Sequence, residues 1–204
     1  MLLGLDEYIR AAERVHGHVC AGQILGLRLA VYGLKLLGIK DPTGKDRKRL
    51  LTYVEIDRCA TDAITVVTGC RLGKRTLKAV DFGKLAATFW DLQQNRGVRV
   101  VAKDTARQQA DQLYPGIPVK ALRQLRAYRE MVDQDLFEFE WVSVAVRSED
   151  LPGYVGPRLV CSVCGESINF KREVIEDDRI LCKACAGQRY YRPINNQCEH
   201  APVA

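Results

Sequence analysis

"HGHVCAGQILGLRLAVYGLKLL", residues 16–37, decides how this chain is to be read. It opens on two of the three histidines and one of the eight cysteines, then enters the most apolar window of the sequence. Gln23, Arg28 and Lys35 interrupt that window, which argues for a buried helix over residues 21–37 and against a membrane span. Gly22, Gly26 and Ala30 recur every four residues along one face, so that another backbone can approach closely there.

The flanking segments supply the layers such a helix needs. Upstream, "LDEYIRAAERVHG" places Leu5, Tyr8, Ile9, Ala12 and Val15 near helical spacing, and Gly17 stops the helix. Downstream, "DPTGKD" is a loop and "LLTYVEI" (residues 50–56) a buried strand. "DRCATDAITVVTG" predicts a short helix between Asp57 as N-cap and Gly69 as its left-handed end. "TLKAVDF", "KLAATFWDLQ" and "VRVVAK" read as strands, the last two joined through Asn95-Arg96-Gly97. Helices are expected over 104–113 and 119–133, and "FEFEWVSVAVR" (137–147) alternates as a strand. The class is therefore α+β, a mixed sheet flanked by helices. Residues 1–150 form the core domain, the Pro/Gly-rich 151–157 a linker, and 158–204 a small zinc-finger domain.

Composition narrows the function. The net charge is +6, and the excess of Lys and Arg is not gathered in the C-terminal segment. A solvated surface accounts for "KDRKRL" (45–50) and "RLGKRTLK" (71–78) better than a nucleic-acid footprint does. Asp6 and Glu7 break any signal-peptide pattern, so a cytoplasmic protein is expected, in which cysteines serve metal or thiol chemistry before disulfides.

In the C-terminal segment the pattern is Cys161-x2-Cys164, then Cys182-x2-Cys185. Each pair holds two thiolates on one side of a tight knuckle, and two knuckles complete a tetrahedron for a structural Zn2+. The second pair reads as opening a helix, "CKACAGQRYY", which points to a treble clef. Phe170, Tyr190 and Tyr191 are expected in the finger core, and Cys198 and His200 in a free tail.

The N-terminal constellation is the other chemical signal. If residues 16–20 run extended, His16, His18 and Cys20 point to one side. Cys20 then begins one helix and Cys59 lies in the first turn of another, where unsatisfied N–H groups favour thiolates. His18, Cys20 and Cys59 are expected to converge on Zn2+ or another divalent metal, with His16 as fourth ligand or supporting partner. A thiol pair cycling through a disulfide is a second possibility. Asp62 and Lys74, with Cys59, are candidate catalytic groups, as proton carriers or anion holders. Cys70 reads as an inert buried thiol.

"HGHVCAGQILGLRLA", "VEIDRCATDAITVVTGCRLGKRTLK" and "DFGKLAATF", in this order and spacing, resemble the motifs of the FmdE family of formylmethanofuran dehydrogenase proteins, and the four-cysteine finger resembles that of its two-domain members. The resemblance implies an α+β core with a metal-binding site at His16, His18, Cys20 and Cys59. Asp62, Thr68, Gly69, Cys70, Gly73 and Lys74 match the rest of the second motif. It further implies an accessory protein for a molybdenum or tungsten oxidoreductase. A stand-alone zinc- or thiol-dependent enzyme is the alternative, and a finger-borne regulator of nucleic acid ranks third. A homodimer is expected, because the glycine-spaced helix and the sheet edge both need covering. No membrane partner is expected.

Overall fold

The computed structural model describes residues 1–194 and separates the chain into two compact units, Met1–Ala145 and Val146 onward. Cys198 and His200 lie outside the described residues.

The first unit is α+β. Helix α1 (Leu5–His16) buries Tyr8, Ile9 and Ala12, and Gly17 ends it at φ 88°. Helix α2 (Ala21–Leu36) follows after four residues. Strand β1 (Leu50–Val54), helix α3 (Cys59–Thr68) and strand β2 (Leu77–Ala79) form a crossover unit, with β1 and β2 parallel. Strands β3 (Ala86–Asp91) and β4 (Arg96–Ala102), helices α4 (Thr105–Leu113), α5 (Lys120–Glu130) and the short α6 (Asp133–Leu136), and strand β5 (Phe137–Val142) complete it. The sheet runs β2-β1-β3-β4-β5, with every pair after the first antiparallel. The middle strand β3 is buried along its whole length.

Helix α2 is apolar over most of its surface, apart from Gln23, Arg28 and the exposed Lys35, and its surroundings follow from that. It packs against α3, β3, β4 and α5. A Cβ at Gly26 would sit 2.5 Å from the Ala60 carbonyl oxygen, and one at Gly33 would sit 2.3 Å from the Phe89 ring. The close approach therefore happens inside the fold, between α2 and α3. This removes one of the two reasons for expecting a homodimer. The other stands: β5 has an open edge, with Phe139 and Trp141 half-exposed.

Several expected boundaries move: the strand expected over 137–147 ends at Val142, and that expected over 76–82 is only Leu77–Ala79. The helix expected over 119–133 stops at Glu130, because Arg28 reaches out of α2 to the carbonyls of Tyr128 and Met131 and to Asp133, at 2.5 Å. The guanidinium N–H groups donate to carbonyls at the helix end that lack a partner within the helix. The β3–β4 turn falls on residues 92–95, with Asn95 at φ 51°, and Gly97 lies within β4, where a Cβ would strike the Trp90 ring.

The second unit is built from two small hairpins, β6 (Leu159–Val160) with β7 (Ser167–Ile168) and β8 (Val174–Glu176) with β9 (Arg179–Leu181). Asp177 and Asp178 both adopt positive φ, as a two-residue turn of matching twist requires. The helix expected from "CKACAGQRYY" is a turn over residues 183–187, ended by Gly187 at φ 86°. Phe170, Tyr190 and Tyr191 are exposed, contrary to their expected core role; the buried cluster is Cys161, Ile168 and Leu181.

Candidate metal centre

The finger site is the simpler of the two. Cys161, Cys164, Cys182 and Cys185 place their sulfurs within 4.8 Å of one another. Cys164 and Cys182 are 3.9 Å apart, close to the ~3.8 Å edge of a tetrahedron with ~2.3 Å Zn–S bonds. Backbone N–H groups support the thiolates: that of Cys182 donates to Cys161 Sγ at 3.3 Å and that of Cys185 to Cys182 Sγ at 3.4 Å. N–H donation from Cys164, Cys182 and Val163 pulls the Cys161 thiol down to about 6, whereas sharing a hydrogen bond with Cys182 pushes Cys185 up to about 12. Four sulfurs crowded in this way call for a cation.

In the first unit three helix ends meet. His16 is the last residue of α1, Cys20 is the N-cap of α2, and Cys59 is the first residue of α3. The loop between α1 and α2 is short because Gly17 reverses the chain. The first turn of α2 lies beside Cys59; a Cβ at Gly22 would be in ordinary contact, 3.7 Å from Cys59 Cβ and 3.8 Å from Cys20 Sγ. One ligand atom from each of His16, Cys20 and Cys59 falls within 4.8 Å of the others. All three residues are half-buried. The two thiols are free, as are all seven cysteines among the described residues.

The histidine in this group is His16. His18, expected to be the ligand, is exposed and outside the group, its ring 4.8 Å from that of His16. The reason is local: residue 16 is helical instead of extended, so His16, His18 and Cys20 do not share one side of an extended run. Asp62 is at the site but not as an independent proton carrier. Its Oδ2 lies 2.8 Å from His16 Nδ1. A carboxylate only accepts, so Nδ1 carries the proton and Nε2 is left for a metal. Lys74 is exposed on the turn beyond the other end of α3, about 15 Å of helix from Cys59, and is not brought to the site. Cys70 is buried, with the Thr52 hydroxyl 3.4 Å from its sulfur, and takes no part.

Burial, then the neighbouring Cys20, pushes the Cys59 thiol up, outweighing the helix N-terminus expected to lower it. Two thiols and an imidazole fit Zn2+ or another borderline-soft divalent ion, whose charge reverses that penalty. A cleft of about 380 Å³ opens beside the group, lined by His16, Asp57, Arg58, Cys59, Thr61 and Asp62. Arg58, not Asp57, is the N-cap of α3. Neither belongs to the expected site, and their position just before Cys59 is the one sequence signal that places them beside it.

A family model described as FmdE, molybdenum formylmethanofuran dehydrogenase operon, matches residues 15–138, more than half of the chain. The chain belongs to the FmdE family. A prokaryotic dksA/traR C4-type zinc-finger model matches residues 156–191, which agrees with the four-cysteine cluster and supports a structural Zn2+ there. A tungsten formylmethanofuran dehydrogenase FmdE-like protein from Syntrophus aciditrophicus shares the fold. It has a TM-score of 0.63 at 20% identity, over 93% of this chain and 96% of that one. A probable S-adenosyl-L-methionine-binding protein of Archaeoglobus fulgidus is 30% identical over 205 residues, covering 91% of this chain and 54% of that protein. The chain thus spans about half the length of that curated relative. It is a metal-binding FmdE-type protein with an α+β core and a C4 finger. Among the described residues, no helix is long and apolar enough to cross a membrane.

Proposed function

We propose that the chain is a metal-binding accessory protein of a molybdenum or tungsten formylmethanofuran dehydrogenase-like oxidoreductase, acting through a centre made of His16, Cys20 and Cys59. The observation that carries this reading is the meeting of those three side chains at three helix ends. The family description and the tungsten-enzyme association of the structural relative support the partner class. Asp62 orients His16 and holds the Nδ1 proton; Cys20 and Cys59 supply charge. His16, Cys20 and Cys59 would hold the metal, which would supply a Lewis acid beside the cleft. The finger zinc, closed by four sulfurs, has a structural role only.

A second reading has its own support. Three protein donors beside an open cleft are also the arrangement of a catalytic zinc site, so the chain would be an enzyme in its own right. One anaerobic preparation, tagged and purified from its own host, separates the two. The accessory reading expects a second metal besides the finger zinc and co-purification with oxidoreductase components. The second metal without those components favours the enzyme. Finger zinc alone overturns both. We also propose a cytoplasmic homodimer joined through the β5 edge.

A further inference from the structure

Gln23 sits in the first turn of α2 and is 1% exposed. Its Oε1 accepts the backbone N–H of Cys20 at 3.1 Å, and the Cys20 side chain lies toward the Gln23 backbone N–H in the reciprocal half of a capping box. That interaction fixes which way the amide points: the other orientation would set two donors against each other. The Nε2 group is therefore left over. It is buried and has no hydrogen-bond partner among the described residues. A buried donor without a partner is uncommon and costly, and calls for an explanation. Helix capping does not provide one. A glutamate caps equally at this position and suits the positive helix end better. An apolar residue would avoid the orphaned donor.

We propose that Gln23 is a positioning residue of the centre formed by His16, Cys20 and Cys59. Oε1 fixes the Cys20 backbone, and Nε2 is the hydrogen-bond donor for the negative charge that the centre carries at Cys20 when a cation is held there. This rests on the metal-binding reading above and adds to it a residue that contacts no metal. Such supporting donors hold a ligand in one geometry and set affinity.

The test uses the full-length protein with its finger filled by Zn2+, titrated with Co2+ and followed by thiolate-to-cobalt charge-transfer absorption. The wild type, Gln23→Glu and Cys59→Ser are compared. Gln23→Glu keeps the cap and the length but loses the donor. Its melting temperature should fall, because a carboxylate at a position only 1% exposed costs stability, and the folded variant should bind Co2+ about 10- to 100-fold more weakly. A residue that merely caps predicts binding no weaker than the wild type, since the cap survives in the variant. Equal or tighter binding by Gln23→Glu overturns the proposal while leaving the metal site intact. No Cys59-dependent Co2+ signal in the wild type overturns both. Should the variant fail to fold, the wild type decides by itself. With isotope-labelled glutamine, the Gln23 side-chain amide protons should shift and become protected from exchange when Cd2+ fills the centre. Protons that remain unmoved overturn the proposal.

Discussion

At the scale of the residue, the two sites differ in how each sulfur is held. Cys59 is half-buried beside Cys20, with its thiol pushed up by burial first and by that neighbour second. Cys59→Ser removes the soft donor at nearly constant size, so the centre should lose its metal while the finger keeps its zinc and the fold persists. Elemental analysis after desalting checks this. Asp62→Ala removes the acceptor on His16 Nδ1 and should weaken metal binding by about 10- to 100-fold without touching a ligand. A third residue concerns stability. Burial pushes the Asp46 carboxyl up, but the N–H groups of Asp41 and Lys40 and the guanidinium of Arg49 outweigh it, leaving it below its ordinary 3.8. A depressed folded pKa means the proton binds more weakly in the folded state. The stability Asp46 contributes is therefore present above about pH 4 and lost as pH falls through the folded value. Asp46→Asn should cost about 1–3 kcal/mol at neutral pH and flatten the acid limb of a urea-denaturation series.

At the scale of the element, α2 governs the packing. Gly26→Ala would press a methyl against the Ala60 carbonyl, and α2 and α3 would have to separate. A loss of about 1–3 kcal/mol is expected, read as a lower melting temperature. Because α2 and α3 carry Cys20 and Cys59, the same variant should also weaken the metal centre. Such elements are legible in the sequence where local chemistry and tertiary packing agree. The left-handed ends at Gly17 and Gly69 mark α1 and α3, and the alternating run from Phe137 does form strand β5, although its Phe139 and Trp141 stay half-exposed. What is not legible depends on distant residues. Helix α5 ends early because Arg28, about a hundred positions away, captures its last carbonyls. His16 replaces His18 because residue 16 belongs to the helix that Gly17 ends, so the extended run considered for residues 16–20 does not form. Gln23 reads as a polar interruption of an apolar helix; only its orphaned Nε2 shows otherwise.

At the scale of the whole molecule, the two units ask different things of metal. The first has a contiguous core of helices on a five-stranded sheet. A core of this size is expected to fold without an ion. The second buries Cys161, Ile168 and Leu181, too little apolar surface to offset the entropy of ordering its loops, so its fold must come from the ion. Structural Zn2+ supplies about 10–16 kcal/mol in such domains. The homodimer through β5 is checked by light scattering, where a single species at monomer mass in dilute solution sinks it. The sharper expectation is the order of metal loss. The finger ion is enclosed by four sulfurs, whereas the centre of the first unit has two sulfurs and one nitrogen and borders a cleft. A chelator such as EDTA should therefore remove the metal of the first unit early, with little change in circular dichroism, and the finger zinc late, with loss of structure in the second unit. Cys161→Ala should reproduce the second step at once: the finger unfolds, while the first unit keeps its melting temperature and still binds metal in a Cys59-dependent way. If the finger zinc leaves first, or if Cys161→Ala unfolds the whole chain together, then the closed site does not hold its ion more firmly or the two units do not fold independently.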